Sequence, residues 1–420
     1  MFEMTCDVAV IGGGPAGLSA ALAAKEVGAS KVIILERDNA MGGILQQCIH
    51  PGFGLTYFNE ELTGPEYASR FIGKATSLGV EYLPETMVLE VHEDASMLCT
   101  NSKKGMMSVQ AKSIVLAMGC RERTRAQIQI PGTRPAGVYT AGTAQRLINR
   151  QNEMVGKKVV ILGSGDIGMI MARRMTLEGA NVVAVVELMD YLAGLTRNRV
   201  QCLEDFSIPL YLSHTITRIV GNNRVEGVYI AEVDESKRPK PETETFIDCD
   251  TVLLSVGLIP ENELTKKAGI AINPITGGPT INQYQQTSKE NIFACGNVVH
   301  VNDLVDNVSM ESRTAGIHAA KHALGQEGPI TGTVVCKAGT NVRYICPQEI
   351  KLSTEAQEIS LFFRVIQPKR SVVITASIGD RSLMTRKAFK VNPGEMEKVV
   401  VDTEGFSDGQ VLTIDVEEDK

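Results

Sequence analysis

The sequence predicts an α/β protein made of two similar parallel-sheet units, followed by a small all-β domain. Three observations predict it: a strand, glycine turn and helix near the N-terminus, a second copy beginning at Lys157, and a C-terminal tract of alternating apolar runs. The first signature is Val8 to Gly17, VAVIGGGPAG. Val8, Ala9, Val10 and Ile11 form a short apolar run suited to a strand buried on both faces. Gly12, Gly14 and Gly17 then give GxGxxG before the small-residue helix LSAALAA, with Pro15 and Ala16 between them. Pro15 falls in the first helical turn, where a missing N–H does no harm. Such glycines permit the tight turn, the close approach of a pyrophosphate and close helix-on-strand packing, and the helix N-terminus offers N–H donors to phosphate. The next apolar run, Lys31 to Leu35, ends in Glu36, 24 residues after Gly12, with Arg37 beside it. An acid there can hold a ribose 2′-hydroxyl. The context favours a Rossmann-like dinucleotide site over an unliganded glycine-rich loop.

Length and composition bound the rest. At 420 residues the chain exceeds one ordinary core, so two or three domains are expected. Hydrophobic content of 43% and charge of 22% are those of a soluble globular protein. A net charge of −7 argues against nucleic acid as a partner. The longest N-terminal apolar stretch is broken by GGGP and has no basic leader, so neither a membrane span nor a signal peptide is expected. Nine scattered cysteines with no CxxC suit free thiols in a reducing cytosol, hence a cytoplasmic location. No cluster of Cys and His has metal-ligand spacing, so no metal site is expected.

After Glu36 comes NAMGGILQQCIHPGFGL, with Gly42 and Gly43, then Cys48 and His50. The pair has a chemical reading, a redox thiol with His50 as proton donor or thiolate partner. Its structural reading is a buried Cys and a turn His before Pro51. Cys48 has no CxxxxC partner, which excludes an intramolecular disulfide of that spacing. Gly64 to Gly79 predicts a surface helix with a Gly cap, and residues 80–113 a small antiparallel meander. Ile114 to Ala117 is a further buried strand ending at Gly119. Arg121, Arg123 and Arg125 follow; the set has a chemical reading, contact with cofactor phosphate, and a favoured structural one, a solvated face at a domain edge.

The second unit repeats the first. Lys157 to Leu162 leads into GSGDIG, with Gly163, Gly165 and Gly168 in register and Asp166 and Ile167 between them. A helix (Met169 to Leu177), Gly179, the strand Val182 to Val186 and Glu187 follow. From Gly163 to Glu187 is again 24 residues, and a matched pair is far harder to reach by chance than one signature. Glu187 would repel a 2′-phosphate, so this unit should prefer NAD over NADP; Arg197 and Arg199 work against that preference. Thr251 to Leu254 is a buried strand running into SVGLIPEN, with Gly257. Residues 291–316 add a short strand (Ile292 to Ala294), a Gly296-Asn297 turn and a helix from Ser309 to Ala323. From about Gly328 the chain changes character: SLFFRVIQ, SVVITAS, EKVVVD and QVLTIDV are strand-like runs separated by turn residues. They predict a small all-β domain over 328–420 with a role in packing or assembly, a homo-oligomer included.

IGGGPAG with Glu36, the strand ends at Gly119 and Gly257, GSGDIG with Glu187, and ACGN before a helix carry a resemblance. Over roughly residues 5–325 the chain resembles the FAD/NAD(P)-dependent oxidoreductases of the two-dinucleotide-binding-domain superfamily, which are pyridine nucleotide-disulfide oxidoreductase-like. Within it, GGILQQCIHPGFG, LAMGCRERTRAQIQIPGTRPAGVYTAGTAQ and ILGSGDIGMIMARRMTLEGA resemble flavoproteins that accompany FAD-linked glycerol-3-phosphate dehydrogenases. They are also similar to opine-oxidase and cyanide-synthase subunits. The resemblance implies FAD on the first unit, held by Gly12, Gly14, Gly17 and Glu36, with Gly43, Ala117 and Gly119 beside it. It implies NAD(P) on the second unit, at Gly163, Gly165, Asp166, Ile167, Gly168, Glu187 and Gly257. The family's FAD-closing motif usually reads Gly-Asp; here it reads Gly296-Asn297.

The same resemblance implies an NAD(P) domain (151–265) inserted in an FAD domain (1–150 and 266–327). It further implies hydride transfer between nicotinamide and flavin, and the helix from Ser309 would aim its positive end at the flavin. The electrons would pass to or from a small-molecule or protein partner, such as a glycerol-3-phosphate-dehydrogenase-like subunit. Two alternatives stay open: a thiol-dependent NADH peroxidase, oxidase or disulfide reductase using Cys48, and a cofactor-bearing subunit that serves to bind a partner.

Overall fold

The computed structural model describes residues 1–419. It opens with β1 (Phe2–Ile11), α1 (Pro15–Val27) and β2 (Val32–Leu35). The last four residues of β1 and all of β2 are buried, as a strand covered on both faces requires. β1 pairs in parallel with β2 on one side and with β3 (Gly105–Leu116) on the other. β3 is longer than the run Ile114 to Ala117 suggests. Its first part closes an antiparallel meander with Thr86–Val91 and Ser96–Asn101, and its last part is a core strand. Meander and core strand are therefore one continuous element. The helix Gly64–Ser77 starts at a capping box, in which Thr63 N donates to Glu66 Oε2 at 2.8 Å. It buries Tyr67 and Phe71 in the core that α1 also lines.

Residues Arg121–Ile259 form a separate compact unit. Its five-stranded sheet runs in the order Val138–Thr140, then β6 (Thr251–Leu254), β4 (Lys158–Leu162), β5 (Asn181–Val186) and Leu210–Tyr211. All these neighbours pair in parallel. α2 (Asp166–Leu177) connects β4 to β5. Residues 121–150, which the sequence reading joined to the first unit, pack here: Val138–Thr140 pairs with β6, and Ala141, Ala144 and Ile148 of the following helix share a core with Met169 and Ala172 of α2.

The first unit resumes at Pro260. β7 (Ile292–Ala294) pairs with β3, and α3 (Val305–Ala323) follows. α3 begins about one turn earlier than Ser309. Val308 is buried in the core, and the Asp306 carboxylate accepts from the N–H of Gly54 (3.0 Å), Thr56 (2.7 Å) and Tyr57 (3.2 Å), which fixes the added turn. α3 lies close against α1: Ser19 Oγ donates to the Ser309 carbonyl at 2.6 Å, and a Cβ at Gly316 would come within 2.0 Å of the Ala20 carbonyl.

The C-terminal segment is all β, with a five-stranded and a three-stranded sheet around one apolar core. It belongs to the first compact unit. Ile281 and Gln348 exchange hydrogen bonds (2.9 and 3.1 Å), as do Gln283 and Lys351 (2.6 and 2.8 Å). Tyr344 and Cys346 join the core that holds Ile281, Val298 and Val299. Among the described residues no helix is long and apolar enough to cross a membrane.

Candidate dinucleotide sites

The first glycine turn is built by backbone contact. Gly12 has φ +107°, and a Cβ there would stand 2.4 Å from the Ala117 carbonyl oxygen. At Gly17 a Cβ would stand 1.8 Å from the Gly12 carbonyl oxygen, so only glycine lets α1 sit on its own strand. Gly14 differs: the nearest atom to a Cβ there is Gly43 Cα at 4.0 Å. Gly14 is the N-cap of α1, and no side chain caps that helix among the described residues. The first N–H groups of the helix are thus left without a side-chain acceptor, the arrangement a phosphate requires.

Glu36 stands beside the turn, 7% exposed. Its Oε2 accepts from Gly13 N at 2.6 Å and its Oε1 from Asp38 N at 2.7 Å. These bonds fix the carboxylate, and each oxygen keeps a lone pair for a ribose hydroxyl. The Tyr82 hydroxyl, on the strand next to β2, is buried without a partner among the described residues. Burial first, then the charges of Glu36 and Asp38, push it up to about 12. An unpartnered hydroxyl beside the acid fits a site that a polar ligand completes. Arg37 is exposed. Gly42 N donates to the Gly13 carbonyl at 2.8 Å, bringing Gly43 against Gly14. Gly296 packs on Ala16, where a Cβ would come within 2.9 Å of the alanine methyl. The Asn297 amide is engaged in its own turn: Oδ1 accepts from Asn302 N at 3.0 Å, and Nδ2 reaches Cys120 Sγ at 3.7 Å. Gly119 accepts from Glu261 N at 3.0 Å.

The second turn reproduces the first, atom for atom in places. Gly163 has φ +100°, with the Ser255 carbonyl oxygen 2.1 Å from a Cβ position. Gly168 N donates to Ser255 Oγ at 3.1 Å. Gly165 is the N-cap of α2, again without a side-chain cap. Glu187 is 5% exposed; its Oε2 accepts from Ser164 N (2.8 Å) and Ser164 Oγ (2.7 Å), and its Oε1 from Met189 N (2.9 Å). Gly194 N donates to the Ser164 carbonyl at 3.1 Å, the counterpart of Gly42 on Gly13. Asp166 Oδ1 accepts from Leu195 N (2.8 Å) and Asn198 Nδ2 (2.6 Å), so the segment bearing Arg197 and Arg199 is tied to the glycine turn. Arg199 pairs with Glu204 at 2.9 Å. Ile167 lies half-buried behind Asp166, and Gly257 accepts from Arg123 N at 3.0 Å.

Tyr82, Gly194 and Ser255 escaped the sequence reading. Only Gly194 left a trace, standing seven residues after Glu187 where Gly42 stands six after Glu36. Cys48 ends a short 3-10 turn, and burial pushes its thiol up to about 12. The His50 ring rests tilted on Phe53, centroids 5.1 Å apart. Among the described residues no cysteine is in a disulfide. A titratable pair lies buried after Asn297. His300 Nε2 meets Glu311 Oε1 at 3.0 Å, and Asn302 Nδ2 donates to Glu311 Oε2 at 3.2 Å. Burial opposes a charge on His300, but the Cys346 sulfur and Glu311 outweigh it and hold the ring well above its usual range. Tyr344 and Phe362 of the β segment lie against the same ring.

A family model described as pyridine nucleotide-disulphide oxidoreductase matches residues 6–326, ending before the first strand of the β segment. NAD(P)H coenzyme A polysulfide/persulfide reductase of Pyrococcus horikoshii is 27% identical over 312 residues, 72% of this chain and 65% of its own length. NADH oxidase of Methanocaldococcus jannaschii is 28% identical over 278 residues, 62% of this chain and 58% of its own. Hydrogen cyanide synthase subunit HcnB of Pseudomonas protegens is 24% identical over 323 residues, 70% of this chain and 66% of its own. The chain thus spans 65% or less of the first two relatives' lengths. Among solved structures, T. acidophilum thioredoxin reductase shares the fold, with a TM-score of 0.63 at 22% identity over 76% of this chain and 99% of that one.

Proposed function

The chain belongs to the pyridine nucleotide-disulphide oxidoreductase family, and on that premise we propose that it is an FAD-dependent NAD(P)H oxidoreductase that serves a second acceptor or a partner dehydrogenase. One observation carries the reading: two glycine turns, each opening an uncapped helix and each braced by a buried glutamate on the next strand. FAD and NAD(P), when bound, supply the redox chemistry, and the protein supplies position and electrostatics. Gly12, Gly14 and Gly17 form the first cradle, and Glu36 holds a ribose there. Gly163, Gly165, Gly168 and Glu187 do the same in the second unit. The relatives named as NADH oxidase and NAD(P)H reductase support the activity, and the one named as a synthase subunit supports a partner.

Nucleotide choice follows from Glu187. Its carboxylate is buried and fixed by three donors, so it cannot swing away from a 2′-phosphate, and like charges at that depth repel strongly. Rapid mixing with each nucleotide should show flavin reduced faster by NADH than by NADPH. Glu187→Ala should narrow the gap about tenfold or more, a change of about 1.4 kcal/mol. Faster reduction by NADPH in the parent protein would mean that Arg197 decides instead.

The thiol-dependent reading requires a reactive Cys48. Reactive cysteines have lowered pKa values and lie near cations. Cys48 is shifted the other way, by burial. Cys48→Ser should therefore leave the rate of flavin reduction by NADH within about threefold, less than 1 kcal/mol of barrier. Loss of peroxide or disulfide turnover in that variant, with flavin reduction intact, would favour the thiol reading.

A further inference from the structure

We propose that the second unit carries a separate site for a small oxyanion, a molecule bearing a carboxylate or phosphate group, between Arg125 and Arg134. A cavity of about 310 Å³ opens there, lined by both arginines, Thr124, Tyr139, Thr140 and Leu254, with no carboxylate on its walls. Arg125 is held in place from behind: Nε and Nη2 donate to the Ile130 carbonyl (both 3.3 Å), and Nη2 to the Pro131 carbonyl (3.0 Å). Its Nη1 is left for the cavity. Arg134 makes no recorded hydrogen bond or ion pair among the described residues, and the same holds for the Tyr139 hydroxyl.

Two guanidiniums facing one cavity without a counter-charge repel each other. Burial first and the Arg134 charge second disfavour the charge on Arg125. An anion between them removes both penalties and gains charge-assisted hydrogen bonds to planar donors, the chemistry for which arginine is suited. Ala126, Pro135, Val138 and Leu254 add apolar wall and Thr124, Tyr139 and Thr140 add hydroxyls, so the site takes a short carbon skeleton with an anionic end. A volume equal to about ten waters sets the size of that ligand.

The place in the fold agrees. Thr140 and Leu254 are register partners at the carboxyl ends of adjacent parallel strands, the edge at which open α/β sheets bind ligands. Glu187 follows β5, three strands away along the same sheet, roughly 14 Å at the usual strand spacing. The cavity is therefore not the ribose site. In the sequence, arginines 121, 123 and 125 together read as a solvated face in preference to a contact with cofactor phosphate; the structure separates Arg125 from that set.

The test uses the full chain with its bound flavin. Calorimetric titration at fixed ionic strength with inorganic phosphate, and separately with malonate, should show saturable binding of at least one at a single site. Binding of phosphate alone or malonate alone identifies the oxyanion. Arg134→Gln should weaken it about tenfold or more, as loss of a charge-assisted partner does, and Arg125→Gln should do likewise. Arg381→Gln, an exposed arginine of the β segment, should leave it unchanged. Arg134 has no hydrogen-bond or ion-pair partner among the described residues to lose, so that variant keeps the fold. Saturating NADH should not displace the anion. Absence of saturable binding, affinity kept within about twofold in Arg134→Gln, or displacement by NADH would each overturn the proposal.

Discussion

Gly17→Ala should yield a protein that no longer retains flavin. The added methyl has no room: it would stand 1.8 Å from the Gly12 carbonyl oxygen and 3.1 Å from Val10 Cγ1. The obstacle is backbone at a turn with φ +107°, not a side chain that can rotate away. α1 must therefore lift off β1, and its N-terminus then leaves the cradle it opens. Overpacking a core with one methyl costs about 1–3 kcal/mol, and a backbone collision lies at the upper end. The flavin-to-protein absorbance ratio of the purified variant and its thermal unfolding check this. Gly14→Ala is the contrast, because its nearest neighbour is 4.0 Å away. That variant should fold normally and weaken flavin retention through crowding of the phosphate cradle. Equal flavin content in Gly17→Ala and the parent would show that the turn does not position the cofactor.

Loss of Arg364 should produce the next largest effect, this time on stability. Arg364 lies in the β segment and its guanidinium pairs with Asp303, just before α3, with side chains 13% and 17% exposed. It also donates to the Val301 carbonyl at 3.0 Å and the Pro393 carbonyl at 3.1 Å. In Arg364→Ala, Asp303 keeps only the Met396 N–H at 2.7 Å among its recorded partners. Removing one member of a buried pair costs about 3–5 kcal/mol. A fall in melting temperature of roughly 5–10 °C follows for a unit of this size. Truncation near Gly328 goes further, since it uncovers Ile281, Val298 and Val299, whose core includes Tyr344 and Cys346. The truncated chain should therefore lose flavin as well as stability, because Val298 directly follows the Gly296-Asn297 turn. An unchanged melting temperature in Arg364→Ala would show that the β segment is not tied to α3 through this pair.

The glycine turns were legible because their residue pattern is local. Turn, helix start and acid lie within 24 residues of one another in each unit, and the contacts that demand glycine come from the adjoining strands. What stayed hidden depends on distant chain. Tyr82 faces Glu36 only because its strand pairs with β2. Gly194 matters through the path of a loop that returns to Ser164. Val138–Thr140 is too short to show periodicity, and its partner β6 lies more than a hundred residues on, so its place in the second unit could not be read. The early start of α3 rests on Asp306, whose three backbone partners are some 250 residues away. The β segment was visible as strands, but its attachment through Arg364 and Gln348 is a tertiary matter.

Anaerobic titration of the full chain with NADH, followed at the flavin absorption band, tests the central claim most directly. The band should bleach to completion with about one NADH per bound flavin, as hydride transfer between two such cofactors requires. A chain that carries FAD and binds NADH, yet whose band stays unchanged, would contradict it and leave a cofactor-bearing subunit as the better description.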